Sequence, residues 1–331
     1  MNKKKIGVLG GGSWATALIK ILSDNSENEE IYWYLRSNEN IKYINKYNRN
    51  KKYLSSVELN PNKLKVTSDI CEVINKSEII IIAIPSAFIN EALKEVKNLS
   101  KKYIFSSVKG VIPETNQIVA DYLVDKYNVQ AQNIGIIAGP CHAEEIALER
   151  LSYLTVASEN EDLASYVANK LKVHYTKIKV SDDIYGTEYS AVLKNIFAVA
   201  SGICLGLGYG DNFQAVLVSN AIREIKRFVD IVHPISRDIK NSVYLGDLLV
   251  TSYSKFSRNR VFGTMIGKGY SVRTAQLEMN MIAEGYYAAK GIYEINKKYQ
   301  IDMPITEAVY SILYEGKNPS VEIEKLTSRL D

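Results

Sequence analysis

The sequence predicts an α/β protein in two parts, a doubly wound parallel sheet over residues 1–180 and an all-α part over residues 181–331. Two observations carry this prediction. In the first part, short apolar runs alternate with amphipathic segments, a pattern typical of repeated strand–helix units. After about residue 180 the strand candidates end and long segments with helical spacing take over. These segments are 184–204, 212–230, 275–298 and 304–314.

The strands of the first part are predicted from its apolar runs. The run IIIIAI at 79–84 has no polar alternation, so both faces of that strand are expected to be covered, as in a parallel sheet. The predicted strands are Ile6–Leu9, Ile31–Leu35, Leu64–Thr67, Glu78–Ile84, Tyr103–Ser106, Ile134–Ala138, Leu154–Ala157 and Val173–Tyr175. Helical spacing in this part occurs at 14–22, 86–98 and 115–127.

Composition excludes several classes of protein. Apolar residues make up 46% of the 331 positions and charged residues 24%, which is ordinary for a globular protein. The net charge of +4, from 41 basic and 37 acidic residues, gives no reason to expect nucleic acid or a membrane surface as partner. No uninterrupted apolar run is long enough to span a bilayer, so no integral membrane segment is predicted.

The cysteines indicate a reducing compartment, which predicts a cytoplasmic protein. Cys71, Cys141 and Cys204 are odd in number and far apart, so a disulfide framework is not expected. The three histidines, His142, His174 and His233, stand alone. No Cys/His spacing therefore suggests a metal site.

A glycine-rich turn follows the first predicted strand. Gly10 and Gly12 lie between the strand Ile6–Leu9 and the helix that begins near Trp14. This is the context of a dinucleotide site, in which the first glycine makes the tight turn and the second lets a pyrophosphate approach the backbone. Ala15 stands where the third glycine is usual, and it is small enough for close packing. A Rossmann-type domain for NAD or NADP is predicted; on this motif alone, a glycine-rich turn without function stays the alternative.

The end of the second strand bears on the choice between the two cofactors. Arg36 lies just past the strand IYWYL, where an NAD site would carry a carboxylate for the ribose hydroxyls. A guanidinium there can bind a 2′-phosphate and stack on adenine. The sequence therefore favours NADP without excluding NAD, and a surface arginine without a ligand remains the alternative.

Four further stretches carry a family resemblance: SSVKG at 106–110, AGPCHAEE at 138–145, AVLKN at 191–195 and YLGDLLVTSYSKFSRNR at 244–260. With the glycine loop, they make the sequence resemble the bacterial NAD(P)-dependent glycerol-3-phosphate dehydrogenases. The resemblance implies a 6-phosphogluconate-dehydrogenase-like fold. It also implies interconversion of sn-glycerol 3-phosphate and glycerone phosphate, supplying the backbone of phospholipids. The oligomeric state does not follow from the sequence, and a homodimer is left open.

The resemblance also implies a set of site residues. Lys194 matches the catalytic lysine of the family. The implied substrate-binding residues are Lys109, Asn195, Asp247, Ser257, Arg258 and Asn259. The implied cofactor-binding residues are Gly10, Gly12, Ser13, Trp14, Arg36, Tyr53, Lys109, Gly139, Cys141, Ala143, Arg258, Ile282 and Glu284.

Three departures from the family pattern are visible. Cys141 stands where a serine is usual, and Ser219-Asn220-Ala221 replaces a threonine-arginine-glycine run. Ser242-Val243-Tyr244 replaces a glycine-alanine-glycine run before Asp247. They leave open the local loop shape and its effect on turnover, but they remove none of the implied charged residues.

The chemistry fits Lys194 as the group that exchanges a proton with the substrate hydroxyl. Thr187, Ser190, Ala198 and Ser201 share its helix face, so one long amine stands over a floor of small side chains. A lysine base must be substantially neutral near pH 7, although free lysine titrates near 10.4. Nearby Lys109 and Arg258, together with burial, are expected to favour the neutral form. A snorkelling surface lysine is the alternative by frequency alone.

Ser257-Arg258-Asn259 opens a predicted helix, where main-chain amides and a guanidinium suit a phosphate. An ordinary N-cap with an exposed arginine is the alternative reading of this tripeptide. For the whole chain, two competing functions stay open. One is a related lysine-dependent 3-hydroxyacid or 6-phosphogluconate-type dehydrogenase, and the other is an inactive NAD(P)-binding regulator.

Overall fold

The computed structural model describes residues 4–28, 30–279 and 283–331. These residues form two compact units. The first unit is Met1–Val108 with Val119–Ile184, and the second is Lys109–Ile118 with Tyr185–Asp331. The functional boundary at residues 180/181 stays a prediction.

The first unit is built on one sheet of eight strands within the described residues. The strands are β1 (Ile6–Leu9), β2 (Ile31–Tyr34), β3 (Leu64–Thr67), β4 (Ile79–Ile82), β5 (Tyr103–Ser106), β6 (Ile134–Ala138), β7 (Ser152–Ala157) and β8 (Thr176–Ser181). Their order across the sheet is β3-β2-β1-β4-β5-β6-β7-β8. Neighbouring strands are parallel except for the β6–β7 pair, which is antiparallel. The predicted doubly wound sheet is therefore confirmed, with one antiparallel pair that the sequence did not reveal.

The strand order places a binding crevice beside β1. In register, Ile6 of β1 lies between Ile31 of β2 and Ile79 of β4, so the chain order reverses direction at β1. In open α/β sheets, ligands bind at the carboxyl ends of the strands where the order reverses. Both β1 and β4 are buried along their whole length, which explains their unbroken apolar runs. The glycine loop (Gly10–Gly12) follows β1 at this position.

Helices connect these strands. They are α1 (Ser13–Asp24), α2 (Asn38–Tyr47), α3 (Ile70–Lys76), α4 (Ile89–Ala92), α5 (Val119–Tyr127), α6 (Ala143–Ala147) and α7 (Glu161–Lys170). Helix α2 begins at a side-chain cap, because the hydroxyl of Ser37 accepts a hydrogen bond from the N–H of Asn40. Helices α2, α3 and α7 lie in segments for which the sequence predicted no helix.

Two predictions in the first unit were wrong in detail. The last strand runs over Thr176–Ser181 rather than 173–175. Its residues alternate between charged and apolar side chains at the sheet edge, whereas Tyr175, just before it, packs into the core. The predicted helix 86–98 is a 3₁₀ turn, Ser86–Phe88, followed by the four-residue α4. The buried Leu93, Val96 and Leu99 keep the apolar spacing after the helix has ended.

The second unit is helical. It contains α8 (Ile184–Gly206), which begins at the unit boundary, α9 (Asp211–Val232), α10 (Asp247–Tyr253), α11 (Arg258–Gly267), α12 (Val272–Glu278), α13 (Glu284–Tyr299), α14 (Pro304–Tyr314) and α15 (Pro319–Thr327). The single helix predicted at 275–298 is wrong, because α12 ends at Glu278 and α13 begins at Glu284. The all-α prediction for this part is confirmed.

Among the described residues, α8 alone is long and apolar enough to cross a membrane. Its most apolar 18-residue window is 89% buried inside the protein, as expected for the central helix of a folded core. The altered segment Ser242–Gly246 forms a π-helix that leads directly into α10. Single π-helical turns are frequent at functional sites, and this one precedes Asp247.

Candidate cofactor cleft and amine site

The glycine loop has the shape that a pyrophosphate needs. Gly10 has a φ of +128°, and a Cβ there would lie 2.5 Å from the carbonyl oxygen of Ala83, so the fold itself requires glycine. Gly12 differs, because its φ is −78° and a Cβ there would meet no atom within 4 Å. Neither the backbone nor the packing of the described residues demands glycine at position 12. Open space at the N-terminus of α1 fits the close approach of a phosphate.

A cleft of about 480 Å³ opens beside the glycine loop. It brings together four of the predicted cofactor residues, Gly10, Gly12, Arg36 and Tyr53. Apolar groups on one side suit a purine ring, since Ile84, Pro85, Phe88 and Ala92 also line the cleft. The remaining lining residues are Gly11, Tyr34, Leu35, Ser37, Asn40, Lys52 and Glu91.

Two cations line this cleft, Arg36 after β2 and Lys52 in the loop after α2. No sequence motif indicated Lys52, although it is adjacent to the predicted Tyr53. The side chain of Ser37 caps α2. The buried Asn40 has a carbonyl oxygen, Oδ1, that accepts no hydrogen bond from any described residue. Cations and an acceptor oxygen are suited to the phosphate and hydroxyls of an adenosine ribose.

The other predicted cofactor residues of the first unit do not line the cleft. Ser13 begins α1, and Trp14 packs against the core from the same helix. Gly139 has a φ of +129° and a site for Cβ only 2.6 Å from the carbonyl oxygen of Tyr153, so the fold requires this glycine. Cys141 donates a hydrogen bond to the oxygen of Gly139 at 3.2 Å. Cys141 and Ala143 belong to the buried core cluster of the first unit.

In the second unit, two lysine amines meet on one carboxylate. Asp247, the first residue of α10, is 1% exposed. Lys194 of α8, 5% exposed, donates a hydrogen bond to its Oδ1. Lys109, which lies in the segment Lys109–Ile118, contacts its Oδ2 at 3.1 Å. The structure therefore brings the predicted catalytic lysine together with two predicted substrate-binding residues.

The charges at this site determine the ionisation of Asp247. Burial acts to raise the pKa of the carboxyl, but the charges of Lys109 and Lys194 and their hydrogen bonds hold that pKa below its usual value. Asp247 is thus an anion at neutral pH. In return, the carboxylate favours the charged form of both amines. This influence opposes that of Lys109 and of burial, which were expected to favour the neutral form of Lys194.

Thr251, which no sequence motif indicated, also contacts the Lys194 amine. Its Oγ1 accepts a hydrogen bond from Lys194 Nζ at 2.9 Å and donates one to the carbonyl oxygen of Asp247 at 2.7 Å. Thr251 follows Asp247 by four positions on α10, so both side chains project from the same helix face. That spacing was a signal available in the sequence.

Two asparagine side chains link the backbone of Lys109 to the starts of α11 and α13. Asn195 donates its amide to the carbonyl oxygen of Lys109 at 2.6 Å, and Asn259 donates to Oδ1 of Asn195 at 2.8 Å. The N–H of Gly285 donates to Oδ1 of Asn259 at 2.9 Å. The predicted substrate residues Asn195 and Asn259 are thus buried members of one hydrogen-bond chain that ends on the backbone of Lys109.

Ser257, Arg258 and Asn259 form the start of α11. The hydroxyl of Ser257 caps the helix by accepting a hydrogen bond from the N–H of Arg260 at 3.3 Å. Arg258 is the first residue of this ten-residue helix and is exposed. A guanidinium at a helix N-terminus is suited to an anion.

The remaining predicted residues belong to α13, to the segment before it and to α8. Glu284 begins α13, directly before Gly285. Ile282 lies outside the described residues. The small side chains predicted beside Lys194, namely Thr187, Ser190, Ala198 and Ser201, are all buried on α8.

A doubly wound sheet with a glycine loop at its switch point and a helical unit with a buried lysine–aspartate pair define a nicotinamide-dependent dehydrogenase. Matches to two protein-family models identify the family of dehydrogenases. The N-terminal model of NAD-dependent glycerol-3-phosphate dehydrogenase matches residues 5–164, and the C-terminal model matches residues 183–324. The chain belongs to the NAD-dependent glycerol-3-phosphate dehydrogenase family.

Curated relatives agree with this assignment. The chain is 36% identical to the glycerol-3-phosphate dehydrogenase, NAD(P)+, of Bacillus pumilus, over 99% of this chain and 95% of that protein. It is 35% identical to the enzyme of the same name from Clostridium botulinum Eklund 17B, over 98% of this chain and 97% of the relative. The resemblance stated from the sequence motifs is confirmed.

Solved structures agree as well. The glycerol-3-phosphate dehydrogenase of Coxiella burnetii is 27% identical and matches with a TM-score of 0.90 over 98% of this chain and 99% of that one. A ketopantoate reductase of Ralstonia eutropha matches with a TM-score of 0.58 at 13% identity, over 98% and 99% of the two chains, which shows a shared fold alone. The 6-phosphogluconate-dehydrogenase-like fold is confirmed.

Proposed function

We propose that the protein interconverts glycerone phosphate and sn-glycerol 3-phosphate with NADPH or NADH. The observation that carries the proposal is the buried meeting of Lys194 and Lys109 on Asp247. Reduction of a ketone requires a proton donor and a group that polarises the carbonyl. Two amines held by one carboxylate can supply both.

The reduced nicotinamide, when bound, supplies the hydride. Lys194 in its ammonium form gives a proton to the oxyanion that develops on the substrate, and in the reverse direction its amine takes the hydroxyl proton. Asp247 stabilises and orients the ammonium form. Lys109, whose side chain is partly exposed, hydrogen-bonds the carbonyl oxygen and stabilises the developing negative charge.

Thr251 directs this proton transfer. Its own hydrogen is committed to the carbonyl oxygen of Asp247, so towards Lys194 its oxygen can act only as an acceptor. An ammonium has three N–H groups, of which Asp247 and Thr251 take two. These two hydrogen bonds fix the direction in which the amine points, so Thr251 is a positioning residue for the Lys194 amine.

The substrate phosphate is bound at the start of α11. Arg258 supplies an exposed guanidinium there, and the first main-chain amides of a helix have no partner within the helix. The hydroxyl of Ser257 accepts from the N–H of Arg260 and thereby fixes the start of this helix. This arrangement matches the geometry and charge of a phosphate dianion.

NADP is the preferred cofactor in this proposal. Arg36 and Lys52 both line the cleft after β2, where cations suit a 2′-phosphate. The ratio of kcat/KM for NADPH to that for NADH measures this preference directly.

The product serves as the backbone for phospholipids, and the protein acts in the cytoplasm. Support for the cytoplasm comes from Cys71, Cys141 and Cys204, which are all free thiols. The homodimer left open by the sequence is tested by sedimentation equilibrium.

The decisive experiment follows NADPH fluorescence after addition of glycerone phosphate. The wild-type protein is expected to consume NADPH. Lys194→Ala is expected to abolish turnover while its affinity for NADPH, measured by fluorescence titration, stays within about twofold of wild type. Normal turnover by Lys194→Ala would show that another group carries the proton. A wild-type protein that oxidises NADPH only with 3-hydroxyacid-type ketones would replace the proposed substrate.

A further inference from the structure

Each carbonyl of the glycine loop accepts a hydrogen bond from a side chain. Trp33 Nε1 donates to the oxygen of Gly10 at 2.7 Å, and Asn50 Nδ2 donates to that of Gly11 at 3.1 Å. Thr16 Oγ1 donates to the oxygen of Gly12 at 2.9 Å. In a planar trans peptide, the C=O and the following N–H point in opposite directions. Fixing these three carbonyls therefore turns the N–H groups of Gly11, Gly12 and Ser13 away from the anchoring side chains.

Asn50 controls two of these three carbonyls. Besides its bond to Gly11, its Nδ2 donates to Thr16 Oγ1 at 2.8 Å. Because that hydroxyl oxygen accepts from Asn50, its own hydrogen is left for the carbonyl of Gly12. Asn50 thus donates to Thr16, and Thr16 in turn donates to Gly12.

The oxygen of the Asn50 side-chain amide accepts hydrogen bonds from two residues that line the cofactor cleft. Its Oδ1 accepts from Asn40 Nδ2 at 2.9 Å and from the N–H of Lys52 at 3.3 Å. Asn40 and Lys52 line the cofactor cleft, whereas Asn50 is fully buried and does not. A main-chain N–H can only donate and a main-chain carbonyl can only accept, so Lys52 and Gly11 fix the orientation of the Asn50 amide.

We propose that Asn50 is a positioning residue for cofactor binding, and that it aims the amides of the glycine loop at the pyrophosphate of the dinucleotide. Through its Oδ1, Asn50 also links the glycine loop to Asn40 and Lys52. The distance between the pyrophosphate side and the adenosine side of the cleft is thereby fixed. This inference rests on the proposed function in taking NADPH or NADH as the ligand. Asn50 acts through the loop and does not contact the cofactor.

The test uses Asn50→Asp, which keeps the size and the acceptor oxygens but loses both N–H donors. A carboxylate cannot bond the Gly11 carbonyl, so the loop amides lose their fixed direction. We expect the dissociation constant of NADPH, measured by fluorescence titration, to rise by roughly tenfold or more, given the loss of two hydrogen bonds. The KM for glycerone phosphate at saturating NADPH is expected to stay within about twofold of wild type.

Asn28 offers a matched control in the same unit. It is also a buried asparagine, and its Nδ2 donates to the carbonyl oxygens of Leu22 at 2.9 Å and Lys170 at 3.0 Å. Asn28 does not line the cofactor cleft. Asn28→Asp is therefore expected to lower the melting temperature without changing the affinity for NADPH. An equal loss of NADPH affinity in both variants would reduce Asn50 to a general folding role and overturn the inference.

A second variant keeps the test decisive if Asn50→Asp does not fold. Thr16→Val is nearly isosteric and removes the branch from Asn50 to Gly12. A severalfold weaker affinity for NADPH in a folded Thr16→Val protein supports the inference, and wild-type affinity overturns it. Failure of the wild-type protein itself to bind either nicotinamide cofactor would instead refute the proposed function.

Discussion

Replacing Thr251 with valine tests whether the direction of the Lys194 amine matters for catalysis. The substitution keeps the shape of a buried side chain and removes a hydroxyl oxygen that, like Asp247, accepts a hydrogen bond from Lys194 Nζ. The amine should then sample directions in which no N–H faces the substrate carbonyl. Chemistry should slow, whereas cofactor binding should not change.

The magnitude follows from the kind of hydrogen bond that is lost. A hydrogen bond to a charged group contributes about 1.5–3 kcal/mol. Taking about 2 kcal/mol and a tenfold change in rate for each 1.4 kcal/mol, kcat is expected to fall by roughly thirtyfold. Thr251→Ser keeps the oxygen and is expected to retain most of the activity. It is therefore the matched control.

The assay is steady-state oxidation of NADPH by glycerone phosphate, with each substrate varied in turn. The expected pattern is a lower kcat for Thr251→Val and an unchanged KM for NADPH in both variants. If valine and serine at position 251 gave the same kcat, the acceptor oxygen would have no part in proton transfer. Thr251 would then not position the Lys194 amine for catalysis.

Three further predictions concern the cofactor, the phosphate and stability. Gly12→Ala should fold with an unchanged melting temperature, because the added Cβ meets no atom within 4 Å. It should nevertheless bind NADPH at least about tenfold more weakly by fluorescence titration, and an unchanged affinity would contradict a pyrophosphate at the loop. Arg258→Ala should raise the KM for glycerone phosphate far more than that for NADPH, and equal increases would argue against phosphate binding at α11. Glu224 is buried against the N–H groups of Ile305 and Thr306, and burial raises its pKa from 4.5 to about 7. Its contribution to stability is therefore present below pH about 4.5 and lost as pH rises through about 7, so the free energy of unfolding should fall by about 3 kcal/mol across that window in urea titrations. Glu224→Gln should remove most of this dependence, and an unchanged pH profile would exclude Glu224 as its source.

The strands were predictable where burial on both faces leaves one continuous apolar run. Strand β4 is such a run, and so is β1, whose four residues are all buried. Strand β8 was not predictable in this way, because it is half exposed and carries lysines at alternate positions, so it contains no continuous apolar run. The antiparallel direction of β7 was also invisible, since an apolar strand has the same sequence pattern in either direction.

The candidate site was predictable to a different extent in each unit. Lys109, Lys194 and Asp247 were implied by motifs, and the structure brings them into contact. Thr251 could have been found from its four-residue spacing on the helix of Asp247. The contacts of Asn50 could not, because its partner Gly11 lies 39 positions away and contributes only a main-chain carbonyl. Sequence patterns reveal which side chains are present, but they do not reveal which backbone atoms those side chains reach.

The assignment of Lys109–Ile118 to the second unit has a consequence for dissecting the protein. The polypeptide passes from one unit to the other after Val108, after Ile118 and after Ile184. A cut at the last of these points would give an amino-terminal fragment that retains Lys109 and a carboxy-terminal fragment that retains Asp247. Neither fragment would hold both partners of that ion pair. A self-sufficient version of the helical half would need the ten-residue segment joined to it genetically, as in a rearranged gene rather than a simple truncation.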